Sequence, residues 1–244
     1  MIMPGKMIEK AVGILGGVGP LATVYFMEMI IRLTDAEADQ GHMNMVVLNH
    51  ATIPDRTDFI LGRSSENPLE IMVNDAKKLE AAGADFIVIP CNTAHYFYDS
   101  IRENVNIQMV SIIEETVEFA INKIPALKKL GILATEGTIA SKTYELECGK
   151  HGIVCEIPNE EECAALMKII YEQVKAGKDI DIVAFMNIMN AMRKRGCDGI
   201  VLGCTELSVI RREYKLLGND VIDSLEALAL KTIRLGGKKA LKRC

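Results

Sequence analysis

Two cysteines end similar apolar stretches, and their neighbours suit acid–base chemistry. Residues 83–91 read "GADFIVIPC" and residues 196–204 read "GCDGIVLGC", with five of nine positions identical. Asn92 and Thr93 follow the first cysteine, and Thr205 follows the second. A helix start after each cysteine would favour its thiolate near neutral pH through the helix dipole. Polar side chains and free backbone N–H groups at the same place suit a carboxylate or another anion.

Cys91 and Cys204 together predict a reaction that acts on two faces of one substrate. A single activated cysteine suffices for a nucleophile, as in amidases or peptidases, and that role needs no second thiol. Two opposed thiols suit inversion, because one thiolate removes the proton from Cα and the other thiol delivers a proton to the opposite face. Cys91 and His95 are four residues apart, a spacing that could place two metal ligands on one face of a helix. The chain has no matching second pair and no Cys-x-x-Cys, so we predict no metal site.

The elements that must position these residues alternate between β-branched runs and helical patterns. Buried strands are predicted at residues 10–17, 44–50, 85–91, 129–135, 151–158 and 198–204. Residues 67–84 and 162–178 carry apolar side chains at three- and four-residue spacing, which is typical of helices. The alternation predicts an α/β fold with parallel sheets and helices on both faces.

A second repeat accompanies the first and predicts internal duplication. "VGILGGVGP" at residues 12–20 aligns with "LGILATEGT" at residues 130–138, so each half has a GIL strand followed by a cysteine strand. We therefore predict two similar, pseudo-symmetric α/β domains that face each other. The glycines of the first segment depart from the G-x-G-x-x-G nucleotide-binding spacing, so they are predicted to form a tight turn into a helix.

The repeat also predicts where the chain passes from one domain to the other. Residues 1–109 and 221–244 are predicted to form the first domain, with Cys91, and residues 110–220 the second, with Cys204. The segment "DVIDSLEALALKTIRL", which starts at residue 220, is predicted to pack on the first domain as a helix. Ligands of parallel α/β sheets bind beyond the carboxyl ends of the strands, so we expect the two thiols to share a cleft between the domains.

Composition limits the partners and the compartment. The chain has 244 residues and a net charge of −5, and its only basic cluster is the short tail at residues 236–244. This favours a small-molecule partner over nucleic acid or a membrane surface. The apolar stretch at residues 12–31 contains glycines, Pro20 and Glu28, which favours a strand, a turn and a helix over a membrane span. Seven cysteines without a signal peptide predict reduced thiols in the cytoplasm.

Several segments together resemble a known enzyme family. They are "GILGGVGPLAT" (13–23), "IPDRT" (53–57), "PCNTAH" (90–95), "ATEGT" (134–138) and "GCTEL" (203–207). They resemble the aspartate/glutamate racemase family and, within it, the aspartate racemase branch. The resemblance implies a homodimeric amino-acid racemase that needs no cofactor, pyridoxal phosphate included. It implies that Cys91 and Cys204 are the catalytic bases, with Cys204 acting on the L-isomer and Cys91 on the D-isomer.

The same resemblance implies the substrate contacts. Side chains expected to bind the substrate are those of Arg56, Asn92, Thr93, Thr135, Lys175 and Thr205. Within this set, Arg56 matches the residue that receives the side-chain carboxylate, for which its bidentate fork is suited, and Lys175 would assist it. Glutamate racemases typically have Asp-Ser near the start and His after the second Cys-Thr. Here "GGVGP" and Glu206 stand instead, which favours an aspartate over a glutamate racemase.

Other interpretations remain open at this point. The same scaffold could support decarboxylation, cis-trans isomerisation or hydantoin racemisation, or the cleft could bind an amino acid without catalysis. Both cysteines and Arg56 are present, which favours racemisation of an acidic amino acid. His95 either tunes Cys91 or only packs in the core. The other cysteines are predicted to be packing residues: Cys148, Cys155, Cys163, Cys197 and Cys244.

Overall fold

Two four-stranded parallel sheets form the framework of the chain, which a computed structural model describes over residues 9–241. The first sheet contains β1 (Val12–Gly16), β2 (Met45–Asn49), β3 (Phe86–Val88) and β4 (Gln108–Val110), in the order β2-β1-β3-β4. The second contains β5 (Lys129–Leu133), β6 (Val154–Glu156), β7 (Gly199–Leu202) and β8 (Val221–Asp223), in the order β6-β5-β7-β8. The predicted α/β fold with two similar parallel sheets is confirmed.

Helices connect the strands in both halves. They are α1 (Pro20–Leu33), α2 (Arg56–Ile60), α3 (Leu69–Ala81), α4 (Tyr98–Arg102), α5 (Ile112–Lys123), α6 (Glu136–Ala140), α7 (Thr143–Lys150), α8 (Glu160–Met167), α9 (Ile182–Lys194), α10 (Thr205–Glu213) and α11 (Ser224–Leu235). Short 3₁₀ segments cover Asp39–Gly41 and Thr93–Phe97, and a π-helical segment, Lys168–Val174, continues α8. In the described part of the chain, no helix has the length and apolar character that crossing a bilayer requires.

The glycine of the repeated GIL segment has the same structural role in both halves, which is to allow close packing on its strand. Gly13 lies on β1 and Gly131 on β5, and each of these strands pairs with partners on both sides. A Cβ at Gly13 would lie 2.9 Å from the Cβ of Ala84, and one at Gly131 would lie 2.8 Å from Cε of Met192. Both contacts are shorter than side-chain packing allows, so each glycine lets neighbouring groups pack directly on the central strand.

The largest apolar core lies between the two sheets. It joins β1 and β3 to β5 and β7 through buried residues of α1, α5 and α11. Helix α11 is buried on most of its surface, including Leu225, Leu228 and Ala229, and it contacts both α1 and α5. Two further cores cover the other faces of the sheets, one with α3 and one with α8 to α10. Helices that serve both sheets thus fix the two halves against each other.

Sheet membership changes at a different residue from the one predicted. Val221–Asp223 pair with β7, so the chain leaves the second sheet after Asp223 and not before Val221. Asp223 then begins α11, since its carboxylate accepts hydrogen bonds from the backbone N–H groups of Leu225 and Glu226. The helix predicted from residue 220 therefore begins at Ser224. The division into two domains itself stays a prediction.

Candidate active site

Cys91 and Cys204 follow equivalent strands and line the same cavity. Cys91 comes after β3 and Cys204 after β7, the third strand of each half along the chain. Cys204 has extended backbone angles and is the N-cap residue of α10. Cys91 instead precedes the short 3₁₀ segment Thr93–Phe97, so the predicted helix start is present at Cys204 only. The two thiols nevertheless meet at one site.

All the side chains that the sequence selected line this inner cavity. They are those of Arg56, Cys91, Asn92, Thr93, Thr135, Lys175, Cys204 and Thr205. Tyr171 and Glu206 lie there too, and the sequence assigned neither of them a role. The cavity has a volume of about 20 Å³ and adjoins an outer cavity of about 330 Å³ that shares Arg56, Lys175 and Glu206 with it. The inner space is smaller than an amino acid, so a ligand needs the lining groups to move apart.

Asn92 connects Cys91 to the second half of the molecule. Its Oδ1 accepts a hydrogen bond from the Tyr144 hydroxyl at 2.7 Å, and its Nδ2 donates to Oγ of Ser224 at 3.0 Å. Ser224 in turn donates to the carbonyl oxygen of Leu202, at the end of β7. This buried chain of hydrogen bonds holds the Cys91 segment against the strand that leads to Cys204.

Three threonine hydroxyls form a closed ring beside the cysteines. Oγ1 of Thr93 lies 2.9 Å from Oγ1 of Thr135 and 2.9 Å from Oγ1 of Thr138, and the last two are 3.0 Å apart. Thr135 also caps α6 by accepting from the N–H of Thr138. If each hydroxyl donates once within the ring, both lone pairs of Thr135 are used, while Thr93 keeps one acceptor lone pair that suits a ligand ammonium group. The sequence did not indicate Thr138, which lies within α6 and whose N–H is the one that Thr135 caps.

In the guanidinium of Arg56, Nη1 has hydrogen-bond partners and Nε has none among the described residues. Asp55 caps α2, so Arg56 is the first residue of that helix, and its side chain is buried. Nη1 donates to the carbonyl oxygens of Ile53 and Pro54, at 3.3 and 3.0 Å, while the buried Nε has no hydrogen-bond partner among the described residues. A buried donor without a partner is costly, so this geometry suits an anionic ligand.

Lys175 places a second positive charge at the mouth of the cavity. Its Nζ lies 4.1 Å from the centre of the Tyr171 ring, and the Tyr171 hydroxyl donates to Oγ1 of Thr57 at 3.2 Å. Desolvation opposes the charge of Lys175, but Glu206 together with Tyr171, Cys204 and Asp55 outweighs it, and the pKa of Lys175 is raised. Lys175 is therefore a cation at neutral pH, and its contact with Tyr171 adds a cation–π attraction.

The pKa values of the Cys91 and Cys204 thiols are raised, whereas the sequence predicted thiolates near neutral pH. Burial raises the pKa of Cys91, although the nearby charge of Arg56 opposes the shift. Burial also raises the pKa of Cys204 well above that of an ordinary thiol, and the negative charge of Glu206 adds to this. The prediction of thiolates near neutral pH is thus wrong, because desolvation outweighs the nearby positive charges and backbone hydrogen bonds that lower the two pKa values.

Glu206 is the polar residue that contacts Cys204 directly. Sγ of Cys204 donates to Oε2 of Glu206 at 2.9 Å, and Oγ1 of Thr205 donates to the same oxygen at 3.2 Å. The Glu206 side chain is mostly buried. A carboxylate that accepts the S–H can also accept its proton, so the pair can move a proton without solvent. The "GCTEL" segment contains this signal, since a carboxylate two residues after a cap cysteine lies in the first helical turn.

His95 has a structural role, since its ring bonds to backbone groups and does not tune the Cys91 thiol. Its Nε2 accepts a hydrogen bond from the N–H of Ile112 at 3.0 Å, so its Nδ1 carries the proton and donates to the carbonyl oxygen of Cys91 at 2.8 Å. The ring stacks on Tyr98 and is buried, and burial lowers its pKa to about 4. Neutral His95 therefore connects the Cys91 segment to the start of α5.

We expect His95 to make the stability of the protein pH-dependent. Its folded pKa of about 4 lies below the value of about 6.5 in an unfolded chain, so the unfolded state binds the proton first as pH falls. The unfolding free energy should then decrease between about pH 6.5 and pH 4, by about 3 kcal/mol in total for this group. Urea unfolding at several pH values measures the slope.

A variant isolates the contribution of this histidine. His95→Ala should lose about 1–3 kcal/mol at neutral pH for each of the two backbone groups left unpaired, and should show a flatter pH dependence. His151→Ala, at a partly exposed histidine, is the matched control and should keep the slope. An unchanged slope in His95→Ala would show that His95 is not buried in its neutral form.

The described residues contain no group of three or more histidine, cysteine or acidic side chains that could hold a metal ion. Cys91 and His95 do not form a pair of ligands, because both nitrogens of His95 are engaged with the backbone. The polar groups of the site instead match an organic zwitterion. Arg56 and Lys175 supply positive charge, and the threonine ring and Glu206 supply acceptors.

Comparisons with known proteins identify the family to which the chain belongs. The family model described as Asp/Glu/Hydantoin racemase matches residues 15–232. The solved structure of an aspartate racemase from Picrophilus torridus is 33% identical, with a TM-score of 0.81 over 96% of each chain. An aspartate racemase homologue from Pyrococcus horikoshii OT3 is 28% identical, with a TM-score of 0.75 over 93% of this chain and 99% of that one. The broad specificity amino-acid racemase RacX of Bacillus subtilis is 28% identical over 91% of this chain and 96% of its own. The family predicted from the sequence segments is confirmed, and the chain belongs to the Asp/Glu/Hydantoin racemase family.

Proposed function

We propose that this protein is a cofactor-independent racemase of acidic amino acids, with aspartate as the main substrate and glutamate as a possible second one. One observation carries the proposal. Cys91 and Cys204 follow equivalent strands of two sheets with the same order, and both line one cavity together with Arg56. Two thiols related in this way can reach a substrate carbon from two sides, which inversion of configuration requires.

The positive groups set the proposed orientation of the substrate. The side-chain carboxylate lies against Arg56, whose buried Nε lacks a partner, and Lys175 adds a second charge on the same side. A carboxylate that fills this place forms charge-assisted hydrogen bonds and satisfies the buried donor. The side chain then lies toward the outer cavity, and Cα lies in the inner space between the two sulfurs.

The polar residues after each cysteine hold the α-groups in this proposal. Thr93 offers a hydroxyl acceptor to the α-ammonium and Thr135 orients that hydroxyl, while Thr205 offers the N–H of the first residue of α10 to the α-carboxylate. The second N–H of the Asn92 amide is free to donate as well, because its other bonds go to Tyr144 and Ser224. Donors on the carboxylate also stabilise the negative charge that spreads onto it when the Cα proton leaves.

Each turnover moves two protons and leaves the covalent bonds between heavy atoms intact. One cysteine thiolate takes the proton from Cα, and the electron pair of the C–H bond spreads into the α-carboxylate. The opposite thiol then gives its proton to the other face of Cα, which leaves the enzyme with thiol and thiolate exchanged. Cys204 serves the L-isomer and Cys91 the D-isomer. Proton exchange with solvent, through Glu206 at Cys204, restores the starting form.

Alkaline activation should follow from the raised pKa values of the free thiols. The profile of kcat/KM against pH reports ionisations of the free enzyme, so kcat/KM should rise from neutral pH into the alkaline range. The rise must be identical in both directions, since the enantiomers have equal free energy and their equilibrium constant is one. Polarimetry of L- and D-aspartate across the pH range measures this. A profile already flat below about pH 8, under the usual thiol pKa, would contradict the raised values.

Glu206→Gln tests the carboxylate beside Cys204. The change removes the negative charge that raises the Cys204 pKa, so the alkaline rise should move to lower pH. It also removes the proton acceptor, so maximal kcat should fall by about 10²–10⁴-fold. Glu160→Gln, at an exposed glutamate in the first turn of α8, is the matched control and should change neither quantity. A variant with lower kcat and an unmoved pH profile would assign Glu206 a role other than at Cys204.

A broader substrate range is the second candidate. The outer cavity of about 330 Å³ has apolar lining from Leu21, Ile53, Val174 and Val209, which gives room for side chains larger than that of aspartate. The similarity to a broad specificity amino-acid racemase favours the same view. A homodimer belongs to the proposal too, and the exposed apolar side chains of Leu21, Val24 and Ile31 on α1 support it.

Chiral chromatography of reactions with L-aspartate, L-glutamate and L-alanine tests the proposed function. The purified protein is used without added pyridoxal phosphate. The D-isomer of aspartate should accumulate fastest, and alanine should react slowest. Similar rates for all three would favour the broad range. Loss of carbon dioxide, inversion of a hydantoin only, or binding without turnover would replace the proposal by the corresponding alternative reaction or by a binding role.

A further inference from the structure

A second pair of cysteines lies outside the candidate active site. Cys148 is on α7 and is fully buried, while Cys155 is on the edge strand β6 and is partly exposed. The short turn between the two elements is held by a hydrogen bond from the N–H of Ile153 to the carbonyl oxygen of Cys148, at 3.0 Å. Both side chains belong to the core between the sheets, and their thiols lie close enough to influence each other's ionisation.

The faces of the second sheet show which thiol can reach Cys155. Cys155 is registered with Leu130, and the next pair is Glu156 with Gly131. Registered neighbours point to the same face of a sheet and successive residues point to opposite faces, so Cys155 lies on the face opposite that of a Cβ at Gly131. Sγ of Cys197 is 3.2 Å from that Cβ position, so Cys197 lies across the sheet from Cys155. Cys148 is on the same side as Cys155.

We propose that Cys148 and Cys155 form a reversible disulfide when the protein meets a low-molecular-weight disulfide. The exposed member reacts first, because the fully buried Cys148 is closed to an oxidant from solvent. Cys155 thiolate attacks the small disulfide, forms a mixed disulfide and releases one small thiolate. Cys148 thiolate then attacks Sγ of Cys155, forms the protein disulfide and releases the second small thiolate. Two protein thiols are oxidised and one small disulfide is reduced to two thiols.

One feature favours the second step over a stable mixed disulfide. Cys148 lies next to Cys155 on the same face of the sheet, so its attack is intramolecular and needs no approach from solvent. In the first step the interaction of the two thiols lowers the pKa of Cys148 and raises that of Cys155, so the Cys148 sulfur takes the proton of Cys155 as Cys155 attacks, and the released small thiolate then takes that proton from Cys148. The catalytic candidates Cys91 and Cys204 differ, because burial raises the pKa of both and they lie deep in the site.

The Cys148–Cys155 pair also lies close to the hydrogen bond between Tyr144 and Asn92, a residue that lines the candidate active site. Tyr144 is one helical turn before Cys148 on α7, and its hydroxyl donates to Asn92 at 2.7 Å. The disulfide would therefore act on the helix that holds Asn92. This placement gives the modification a physical route to the cavity, although formation of the bond does not depend on the proposed function.

Alkylation mapping tests the proposal on the full chain. The reduced protein is incubated with oxidised glutathione, free thiols are blocked with N-ethylmaleimide, and tryptic peptides are analysed by mass spectrometry. A cross-link should join residues 143–150 to residues 151–168. The second peptide also contains Cys163, so Cys163→Ser should keep the cross-link and Cys155→Ser should lose it. Dithiothreitol should return both thiols to the alkylated form.

A trapping variant separates the two steps. Cys148→Ser should accumulate the glutathione adduct on Cys155, whereas the wild type should show almost none there. Three results would overturn the proposal: a stable adduct on Cys155 in the wild type, a cross-link from Cys155 to Cys197, or both thiols still alkylated after the treatment. Circular dichroism of each variant confirms that the fold is retained, so that a missing cross-link reports the thiols and not unfolding.

Discussion

Cys91→Ala is expected to abolish racemisation of aspartate while leaving exchange of the Cα proton on one enantiomer. Cys204 remains able to remove the proton of L-aspartate and to return a solvent-derived proton to the same face, but no donor is left on the opposite face. In D₂O the variant should label L-aspartate at Cα without forming D-aspartate. Loss of one acid–base group reduces turnover by about 10²–10⁴-fold, so inversion should fall by at least this factor.

Cys204→Ala should show the mirror behaviour and label D-aspartate alone. Cys163→Ser is a matched control, since Cys163 is a partly exposed thiol that does not line the cavity, and it should racemise like the wild type. Proton NMR of the Cα signal and chiral chromatography give the two readouts. Labelling of the opposite enantiomer by each variant would reverse the assignment of the two bases. Single variants that racemise at rates near wild type would rule out a two-thiol mechanism.

Arg56→Ala is expected to remove the preference for acidic substrates. Removing one partner of a buried guanidinium–carboxylate pair costs on the order of 2–5 kcal/mol, so kcat/KM for aspartate should fall by about thirtyfold to several thousandfold. Most of the loss should appear in kcat/KM for aspartate and glutamate. A neutral amino acid, which has no carboxylate for Arg56, should be affected far less.

Two further variants refine this test. Arg56→Lys keeps the charge but loses the planar fork, so it should recover only part of the activity on aspartate. Arg63→Ala is the matched control, because Arg63 forms an exposed ion pair with Glu136 and its loss should leave kcat/KM nearly unchanged. Equal losses on acidic and neutral substrates in Arg56→Ala would mean that Arg56 supports α2 through its bonds to Ile53 and Pro54 and does not bind the substrate.

The features predicted correctly from sequence depend on strong local patterns. The apolar runs that contain Gly13 and Gly131 are buried central strands, and their repetition was enough to predict two sheets of the same kind. The position of Cys91 and Cys204 at the carboxyl ends of such strands placed both near one cavity, since ligands of parallel sheets gather at that edge. The selection of Arg56, which lines the same cavity, came from the family resemblance and not from any local pattern.

Other features required the packed structure. The strand β8 runs directly into α11 with no turn residues between them, so the sequence predicts Val221–Asp223 as part of that helix, and β4 offers only two apolar residues. The ionisation of the thiols was predicted in the wrong direction, because a helix start is visible in the sequence and desolvation is not. The role of His95 also depended on its two backbone partners, which are distant in sequence or formed by a turn.

The isotope content of the first product tests the two-base proposal most directly. L-aspartate is incubated with the wild-type protein in D₂O, and the reaction is stopped at low conversion. If two thiols act from opposite faces, the first D-aspartate carries deuterium at Cα, supplied by the second thiol, while the remaining L-aspartate keeps its protium. Mass spectrometry after chiral separation measures both. D-aspartate that retains the original proton, or L-aspartate that exchanges as fast as it inverts, would contradict the account.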